Sequence, residues 1–271
     1  MNKVWDRTIG RVAFTNCDPL YHNLSDKWRI LPAPPSWLSG HVVRRDCLMA
    51  PIPSADFAKF NDQLKLVGEL GIVSLGHVGS VLLFGDRPPD HMREIAFPTD
   101  SSTSKRLLQW YLDKQGLDPR CVDLGPDLKS MLQQCDGALL IGDRALRAAA
   151  AYPSLVQLDL GAEWTRSTGL PMVFGIFAAH RSADEKIIKE ARTELIQNYN
   201  AFLSDKERRR EVVTRAANKI ELTPSRMDQY FRSEVSNLLD AQSIEGLSRF
   251  LVDVCGMESS AVMACIQAAS P

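Results

Sequence analysis

The sequence has no surplus of charge of either sign. Its 271 residues include 32 lysines and arginines against 33 aspartates and glutamates, which gives a formal net charge of −1. Proteins that hold nucleic acid through its phosphates need a basic surface, and a neutral chain does not supply one as a whole. The basic run at residues 206–210 is flanked by Asp205 and Glu211, which is typical of a solvated helix face. We therefore expect no nucleic-acid partner.

Long apolar runs and paired cysteines are also missing. No run approaches the ~18 apolar residues of a membrane-spanning helix, and the first residues lack the apolar core of a secretory signal. The six cysteines, at positions 17, 47, 121, 135, 255 and 265, form no Cys-x-x-Cys pair and have no regular spacing. This favours reduced, mostly buried thiols over a zinc site or a disulfide framework. We expect a cytoplasmic protein with no membrane partner, no metal and no cofactor.

The sequence does contain a regular alternation of short apolar runs with helix-like segments. Short apolar runs bounded by glycine, proline or polar turns are typical of buried strands. From Ser182 onward, apolar residues recur at helical spacing instead. The pattern predicts an α/β fold of two lobes around a cleft, with a helical C-terminal third. The predicted strands cover residues 8–14, 27–31, 48–52, 72–75, 78–84, 93–97, 121–124, 136–143, 155–160 and 171–179. The predicted C-terminal helices cover 206–220, 224–240 and 243–254.

The chain is expected to cross between the lobes twice, near residues 84–88 and 171–176. The first of these segments contains the sequence Gly-Asp-Arg-Pro-Pro, whose glycine and prolines are typical of a boundary between elements. We therefore expect a discontinuous first lobe, made of residues 1–86 and 176–271 and including the C-terminal helices. The second lobe is expected to comprise residues 87–175.

The stretch at residues 71–87 carries the most conspicuous polar residue of the predicted sheets. Two apolar runs, 72–75 and 78–84, flank a break at Gly76 and His77, and Ser80 lies near the start of the second run. A hydroxyl on a nearly continuous apolar strand is either bonded within the core or directed at a ligand. We favour the ligand for Ser80.

Further polar residues follow other predicted strands at their carboxyl ends, where α/β folds place ligands. Asn16 is as well suited to capping its own turn as to contacting a ligand. The hydroxyl-rich loop 98–104 precedes a helix, whose N-terminus favours an anion, although one of these residues is needed as a cap. Asp143 is favoured as a helix N-cap by propensity alone. The candidate ligand contacts at strand ends are Asn16, Ser54, Ser101, Thr103, Ser104, Gly142 and Asp143.

Seven segments of the chain, taken in order, carry a resemblance to known enzymes. They are 9–20 (IGRVAFTNCDPL), 35–38 (PSWL), 50–54 (APIPS), 71–84, 101–104 (SSTS), 139–146 (LLIGDRAL) and 163–174. These segments resemble the menaquinone-biosynthesis enzymes of the futalosine pathway, and the match is closest to the chorismate dehydratases. The resemblance covers nearly the whole chain, and its ordered succession is more specific than any one motif. It implies a type II periplasmic-binding-protein-like fold without periplasmic location.

The resemblance implies a lyase that removes water from chorismate to give 3-[(1-carboxyvinyl)oxy]benzoate. By family match, Asn16 and Ser80 would be catalytic, positioning the substrate and hydrogen-bonding the leaving hydroxyl. Carboxylates would be held by Ser54, Ser101, Thr103 and Ser104, with Gly142 and Asp143 as further binding positions. Since no basic side chain matches a family motif, the enolpyruvyl carboxylate of the substrate is the candidate base. The expected partner is a small anionic substrate, and the expected assembly is a monomer or homodimer.

The sequence also departs from the family pattern at four positions. Leu48 stands where an acidic residue is common, and His77 replaces a frequent proline. Pro98 and Ser102 replace an aspartate and an arginine that are common around the hydroxyl loop. These departures leave two alternatives open. One is a related futalosine-pathway enzyme acting on another carboxylate, and the other is a non-catalytic cytoplasmic binding protein for a small dicarboxylate.

Overall fold

The computed structural model describes residues 4–269, and its eleven strands form two separate sheets. The first sheet has the order β11-β4-β10-β3-β1-β2, and the second has the order β7-β6-β8-β5-β9. The strands are β1 (Thr8–Val12), β2 (Arg29–Ala33), β3 (Met49–Pro53), β4 (Leu64–Ser74), β5 (Val81–Gly85), β6 (Glu94–Pro98), β7 (Arg120–Leu124), β8 (Gly137–Ile141), β9 (Val156–Asp159), β10 (Met172–His180) and β11 (Ser236–Leu238).

Helices cover the sheets and make up most of the C-terminal third, as the sequence predicts. Strands β3, β5 and β8 are buried along their whole length, because helices and neighbouring strands exclude water from both faces. The helices are α1 (Asp18–Tyr21), α2 (Pro35–Val43), α3 (Ser54–Phe60), α4 (Thr103–Lys114), α5 (Leu128–Leu132), α6 (Gly142–Ala151), α7 (Leu160–Thr168), α8 (Glu185–Ser204), α9 (Lys206–Ile220), α10 (Pro224–Gln229), α11 (Ala241–Asp253) and α12 (Ser259–Ala269).

The prediction of one helix over residues 224–240 is wrong. Helix α10 ends at Gln229, a π-helical turn covers Tyr230–Glu234, and the chain then becomes strand β11. Strand β11 pairs antiparallel with β4 at the edge of the first sheet. The open edge of β4 supplies backbone partners that a continued helix would not use, so tertiary pairing overrides the local helical preference.

The chain passes from the first sheet to the second between β4 and β5, and returns between α7 and β10. Strand β5 pairs with β8 and β9 in the second sheet, although the expected boundary at residue 86 groups it with the first lobe. Strand β10 pairs with β3 and β4 from Met172 onward, so residues 172–175 belong to the first sheet. By strand pairing, the two crossings are therefore residues 75–80 and 169–171.

Two kinds of feature are not found in the part of the chain that the structure describes. No helix between residues 4 and 269 is both long and apolar enough to cross a membrane. The same residues contain no group of three or more His, Cys, Asp and Glu side chains placed to hold a metal ion. All six cysteines are free.

The carboxylate of Glu194 on α8 joins that helix to the segment before β2. It accepts hydrogen bonds from the Ser25 backbone N–H at 2.7 Å and the Trp28 indole at 2.9 Å, and it pairs with Lys27 at 2.9 Å. Burial opposes ionisation, but these donors outweigh it and lower the pKa of Glu194 from 4.5 to about 2. Because the folded pKa lies below the unfolded one, this carboxylate stabilises the fold above pH 4.5, and the contribution disappears as the pH falls towards 2.

We expect Glu194→Gln to lower the free energy of unfolding at pH 7 by about 1–2 kcal/mol, a value reduced for partial solvent exposure. Urea unfolding of both proteins at several pH values measures the difference, which should shrink as the pH falls from ~5 towards ~2. The exposed Glu245→Gln is the matched control and should have little effect. A Glu194→Gln deficit that stays constant over this pH range would contradict the assignment.

Candidate active site

A cavity lies between the two sheets, beyond the carboxyl ends of β1, β3, β6 and β8. It contains about 540 Å³ of empty space, including the part open to solvent. This is the position at which open α/β sheets bind ligands, as the sequence predicts. Six of the eight predicted site residues line the cavity, namely Asn16, Ser80, Ser101, Thr103, Ser104 and Gly142.

Three polar residues singled out in the sequence do not line this cavity. The Ser54 side chain is fully buried and its hydroxyl donates to the backbone oxygen of Val173 at 2.6 Å, which ties the end of β3 to β10. The Asp143 carboxylate accepts hydrogen bonds from Thr15, in the short turn that follows β1. His77 is 81% exposed, and its Nδ1 lies 3.6 Å from a carboxylate oxygen of Asp159. These side chains therefore contact protein or solvent.

The tight turn before Ser80 is held by the Asp159 carboxylate, which also caps α7. The backbone N–H of Val78 donates to it at 3.1 Å and that of Gly79 at 2.8 Å. Gly76 and Gly79 have φ values of +86° and +62°, which glycine adopts without the steric penalty of a side chain. The first crossing between the sheets is therefore a defined turn that carries Ser80 to the cavity.

Ser80 is held at both its side chain and its backbone. Its Oγ lies 3.1 Å from the Tyr230 hydroxyl, and its backbone oxygen accepts from the Gly142 N–H at 2.7 Å. Both Ser80 and Tyr230 are buried. Burial raises the pKa of Tyr230 well above its usual value, so its hydroxyl stays protonated. Ser80 thus presents a fixed hydroxyl to the cavity, backed by a neutral phenol.

Asn16 lies in the short turn Thr15–Cys17 that follows β1. The Asp143 carboxylate fixes this turn by accepting from the Thr15 N–H at 2.9 Å and the Thr15 hydroxyl at 2.7 Å. Asn16 is 8% exposed, and its Oδ1 is buried with no hydrogen-bond partner among the described residues. Since an unpaired buried oxygen is costly, this amide is suited to accept a hydrogen bond from a ligand.

The hydroxyl loop lies at the N-terminus of α4, as expected. The Ser101 Oγ accepts from the Ser104 N–H at 3.3 Å, and the Thr103 Oγ1 accepts from the Ala55 N–H at 3.1 Å. Because the Thr103 oxygen accepts from the backbone, its own proton is available to a ligand. The free N–H groups and dipole of a 12-residue helix add positive potential at the same place. This corner of the cavity is suited to a carboxylate.

Gly142 contributes backbone to the cavity at a position that excludes any side chain. Its φ is +60°, and a Cβ there would lie 2.5 Å from the ring of Phe14. The Phe14 ring is also covered by the Arg144 guanidinium, whose carbon lies 5.7 Å from the ring centre. Arg144 in turn pairs with Asp100 at 2.5 Å. Gly142 thus lets the Phe14 ring, which follows β1, approach the N-terminus of α6.

The walls of the cavity are otherwise apolar, and no side chain of Lys, Arg, His, Asp or Glu among residues 4–269 lines it. An anion in this cavity would therefore be held by neutral hydroxyls, amides and helix N-termini, whose dipoles act strongly where water is scarce. The apolar lining consists of Val12, Phe14, Pro35, Pro51, Ile52, Pro53, Ile72, Val78, Val81, Ile141 and Phe174.

Comparison with known families identifies the lineage of the chain. The model of the family described as "Menaquinone biosynthesis" matches residues 7–253, which include every segment that lines the cavity. The chain belongs to this family. A relative named "Chorismate dehydratase", from Thermus thermophilus, is 31% identical over 207 residues, or 69% of this chain and 76% of that protein.

Solved structures confirm the predicted fold of this menaquinone-biosynthesis family member. Protein AF1704 from Archaeoglobus fulgidus matches with a TM-score of 0.72 at 13% identity, covering 96% of both chains. The Candida albicans CA3427 gene product, described as having the generic periplasmic binding protein fold, matches with a TM-score of 0.63 at 13% identity over 97% of this chain and 94% of that one. The periplasmic aliphatic sulphonate binding protein SsuA from Escherichia coli has a TM-score of 0.63 at 17% identity, covering 90% and 84%.

Sequence reasoning missed two polar residues that support the site in this family member. Tyr230 contacts Ser80 from 150 positions away in the chain, and it lies inside the segment predicted as a plain helix. Thr15 is adjacent to Asn16 in a cluster of turn-forming residues, where no local pattern separates a ligand contact from a structural bond. A partner that is distant in sequence leaves no spacing signal, so only the fold reveals it.

Proposed function

We propose that the chain removes water from chorismate to give 3-[(1-carboxyvinyl)oxy]benzoate, in the futalosine route to menaquinone. Family membership and the chorismate dehydratase relative support this proposal. The observation that carries it is that two polar groups line the same cavity, whose walls are uncharged and mostly apolar. These groups are the unpaired Oδ1 of Asn16 and the buried hydroxyl of Ser80.

The reaction needs orientation and polarisation more than a strong protein base. It breaks the C–H bond at ring carbon 3 and the C–O bond at ring carbon 4. The carbon 3 proton is made acidic by the conjugated diene carboxylate, and formation of the aromatic ring drives the reaction. Holding the substrate so that both bonds are aligned therefore supplies much of the acceleration.

The two catalytic residues have complementary hydrogen-bonding abilities for the leaving hydroxyl. In the proposed complex, Asn16 Oδ1 accepts the hydrogen of the carbon 4 hydroxyl, which satisfies its buried oxygen. Ser80 donates a hydrogen bond to the oxygen of the same hydroxyl and stabilises the charge that develops as the C–O bond breaks. The proton taken from carbon 3 completes the departing hydroxide as water, so Ser80 keeps its own proton. Tyr230 holds the Ser80 hydroxyl, and Asp143 holds the turn that carries Asn16, before substrate arrives.

The ring carboxylate of the substrate fits the neutral donors at the N-terminus of α4. Thr103 has a free hydroxyl proton, and Ser101 and Ser104 lie on the same turn. Gly142 lines the cavity at the N-terminus of α6, where the lack of a side chain lets the Phe14 ring form part of the wall. For Ser54 and Asp143, which were predicted to contact the substrate, we propose supporting roles instead, because their side chains bond to the protein.

The proton acceptor in this proposal is the enolpyruvyl carboxylate of the substrate itself. The described lining contains no carboxylate, imidazole or amine that could take the carbon 3 proton. The enolpyruvyl group is attached through oxygen to carbon 3, so its carboxylate can reach the proton on that carbon. The apolar walls keep water from solvating this carboxylate and so increase its basicity.

We further propose a cytoplasmic location. All six cysteines are free, and burial raises the pKa values of Cys17 and Cys47 to about 12. Free thiols persist in reducing compartments, where disulfides are rare. The expected monomer or homodimer stays a prediction, and light scattering during size-exclusion chromatography tests it.

Incubation of the purified protein with chorismate tests the proposed function, with calorimetric titration of chorismate run in parallel. We expect the diene absorbance to disappear over many turnovers and the aromatic product to be identified by NMR, without added metal or cofactor. Heat-denatured protein is the control. Binding of chorismate with no loss of absorbance would instead identify a non-catalytic carboxylate-binding protein, and neither binding nor turnover would point to another substrate.

The hydrogen bonds between Asp143 and Thr15 hold the turn that carries Asn16, so their loss should misplace Asn16. We expect Asp143→Ala to lower kcat for chorismate about tenfold, because the turn carrying Asn16 loses both anchoring hydrogen bonds. Stability should fall by about 1–3 kcal/mol because the Thr15 N–H is left unpaired. Asp127→Ala is the matched control, since Asp127 caps α5 through Ser130 away from the cavity. It should lower stability by about 1 kcal/mol and leave kcat unchanged; an equal loss of kcat in both variants would refute the positioning role.

A further inference from the structure

Tyr230, in the C-terminal helical region, contacts Ser80 from behind the cavity wall and does not itself line the cavity. Its hydroxyl lies 3.1 Å from Ser80 Oγ, and Ser80 is the hydrogen-bond partner that the described residues give it. Tyr230 is 1% exposed, so water does not provide an alternative partner from bulk solvent. The two hydroxyls therefore depend on each other for hydrogen bonding.

The direction of this hydrogen bond follows from the chemistry of the two groups. A phenol is a stronger acid than an alkyl hydroxyl, and its oxygen lone pairs are partly delocalised into the ring, which makes it the better donor and the poorer acceptor. This difference favours Tyr230 as the donor to Ser80 Oγ. With Tyr230 as the donor, Ser80 keeps its own proton, and a group bound in the cavity that Ser80 lines can accept it. Linked hydroxyls of this kind polarise each other and strengthen the outward donor.

The backbone segment that carries Tyr230 packs against the turn that contains Gly79 and Ser80. The π-helical turn Tyr230–Glu234 interrupts the helical segment after α10, and such turns are frequent at functional sites. The carboxylate of Glu234, the last residue of this π-helical turn, accepts a hydrogen bond from Arg226 at 2.9 Å. A side chain at Gly79 would collide with both the Glu234 carboxylate and Arg226. The segment thus packs against two successive residues of the crossing, Gly79 and Ser80.

We propose that Tyr230 is a positioning residue that fixes Ser80 as a hydrogen-bond donor to the leaving hydroxyl. This inference rests on the proposed dehydration for its effect on rate. The arrangement also means that Ser80 has no base behind it. With Tyr230 as the donor in this hydrogen bond, Ser80 faces a neutral phenol instead of a base, so Ser80 acts by donation rather than as a nucleophile.

The test compares Tyr230→Phe with Tyr199→Phe in steady-state assays with chorismate. Tyr199 is also buried and its hydroxyl lies 3.5 Å from a serine oxygen, that of Ser236, so the control removes the same chemical group from a similar environment. We expect Tyr230→Phe to lower kcat about tenfold with little change in KM, and Tyr199→Phe to keep the kcat of the unmodified protein. Equal kcat values for the two variants would overturn the proposal.

A double variant separates positioning from a general structural effect. If Tyr230 acts through Ser80, Tyr230→Phe should have no further effect on kcat in a Ser80→Ala background. Multiplication of the two losses would show that Tyr230 acts independently of Ser80 and would overturn the proposal.

A crystal structure of Tyr230→Phe gives a readout that does not depend on the substrate. We expect the Ser80 side chain to leave its present rotamer or to occupy two rotamers. A single unchanged rotamer would overturn the inference. If the unmodified protein fails to turn over chorismate, the proposed function fails, while the rotamer result still decides whether Tyr230 positions Ser80.

Discussion

Replacing Ser80 by alanine is expected to lower kcat for chorismate about 100- to 1,000-fold, the loss typical of removing one preorganised donor from a developing charge. KM should change little, because the proposed carboxylate contacts lie on the α4 loop rather than on Ser80. The variant also leaves the Tyr230 hydroxyl buried without its partner, so its free energy of unfolding should fall by about 1–3 kcal/mol. Steady-state kinetics and urea unfolding measure the two effects.

Ser39→Ala is the matched control for this variant. Ser39 is as buried as Ser80, and its hydroxyl donates to the Asp56 carboxylate at 2.6 Å outside the cavity. The control should lose stability and keep its kcat. If Ser80→Ala retains more than about a tenth of the original kcat, Ser80 is not the donor to the leaving group.

Replacing Asn16 by alanine has the second largest expected effect, a loss of about 100-fold in kcat. The substrate hydroxyl loses the acceptor that orients it for departure, and misalignment of this size is costly in a reaction that depends on positioning. Stability should change little or improve, because the variant removes a buried oxygen that has no partner among the described residues. A lower kcat together with an unchanged or higher free energy of unfolding is the pattern expected when a residue is kept for activity at a cost to stability. Steady-state kinetics and urea unfolding of Asn16→Ala measure the two effects.

Asn198→Ala controls for the loss of a buried amide in the same part of the fold. Asn198 has the same exposure as Asn16, and its amide nitrogen donates to the Leu20 backbone oxygen at 3.1 Å. Here stability should fall while kcat stays constant. The opposite pattern, with kcat intact in Asn16→Ala and reduced in Asn198→Ala, would remove Asn16 from the mechanism.

The α/β class, the strands and the cavity position could be predicted because they depend on local patterns. Short apolar runs mark the strands, and polar residues that follow them mark the ligand edge of the sheets. Asn16, Ser80 and the α4 loop were found in this way, and the structure brings them to one cavity. The point at which the chain first crosses between the sheets was harder to predict, because the apolar run of β5 does not indicate which sheet this strand joins.

The remaining features depend on contacts between distant segments. A hydroxyl or carboxylate after a strand can face a ligand or the protein, and only the fold shows that Ser54 bonds Val173 and that Asp143 bonds Thr15. The strand β11 forms because β4 offers an open edge, and the helical pattern predicted over residues 224–240 gave no sign of this pairing. Tyr230 lies in the π-helical turn just before β11. For this reason the sequence predicted neither the strand nor the contact between Tyr230 and Ser80.

The central claim is that this cavity removes the carbon 3 hydrogen and the carbon 4 hydroxyl of chorismate together. Its most direct test is the mass of the compound formed from chorismate that carries deuterium at ring carbon 3 and oxygen-18 in the carbon 4 hydroxyl. The proposed reaction predicts an aromatic product that has lost both labels and kept the enolpyruvyl group. A product that keeps either label, or that has lost the enolpyruvyl group, would contradict the account.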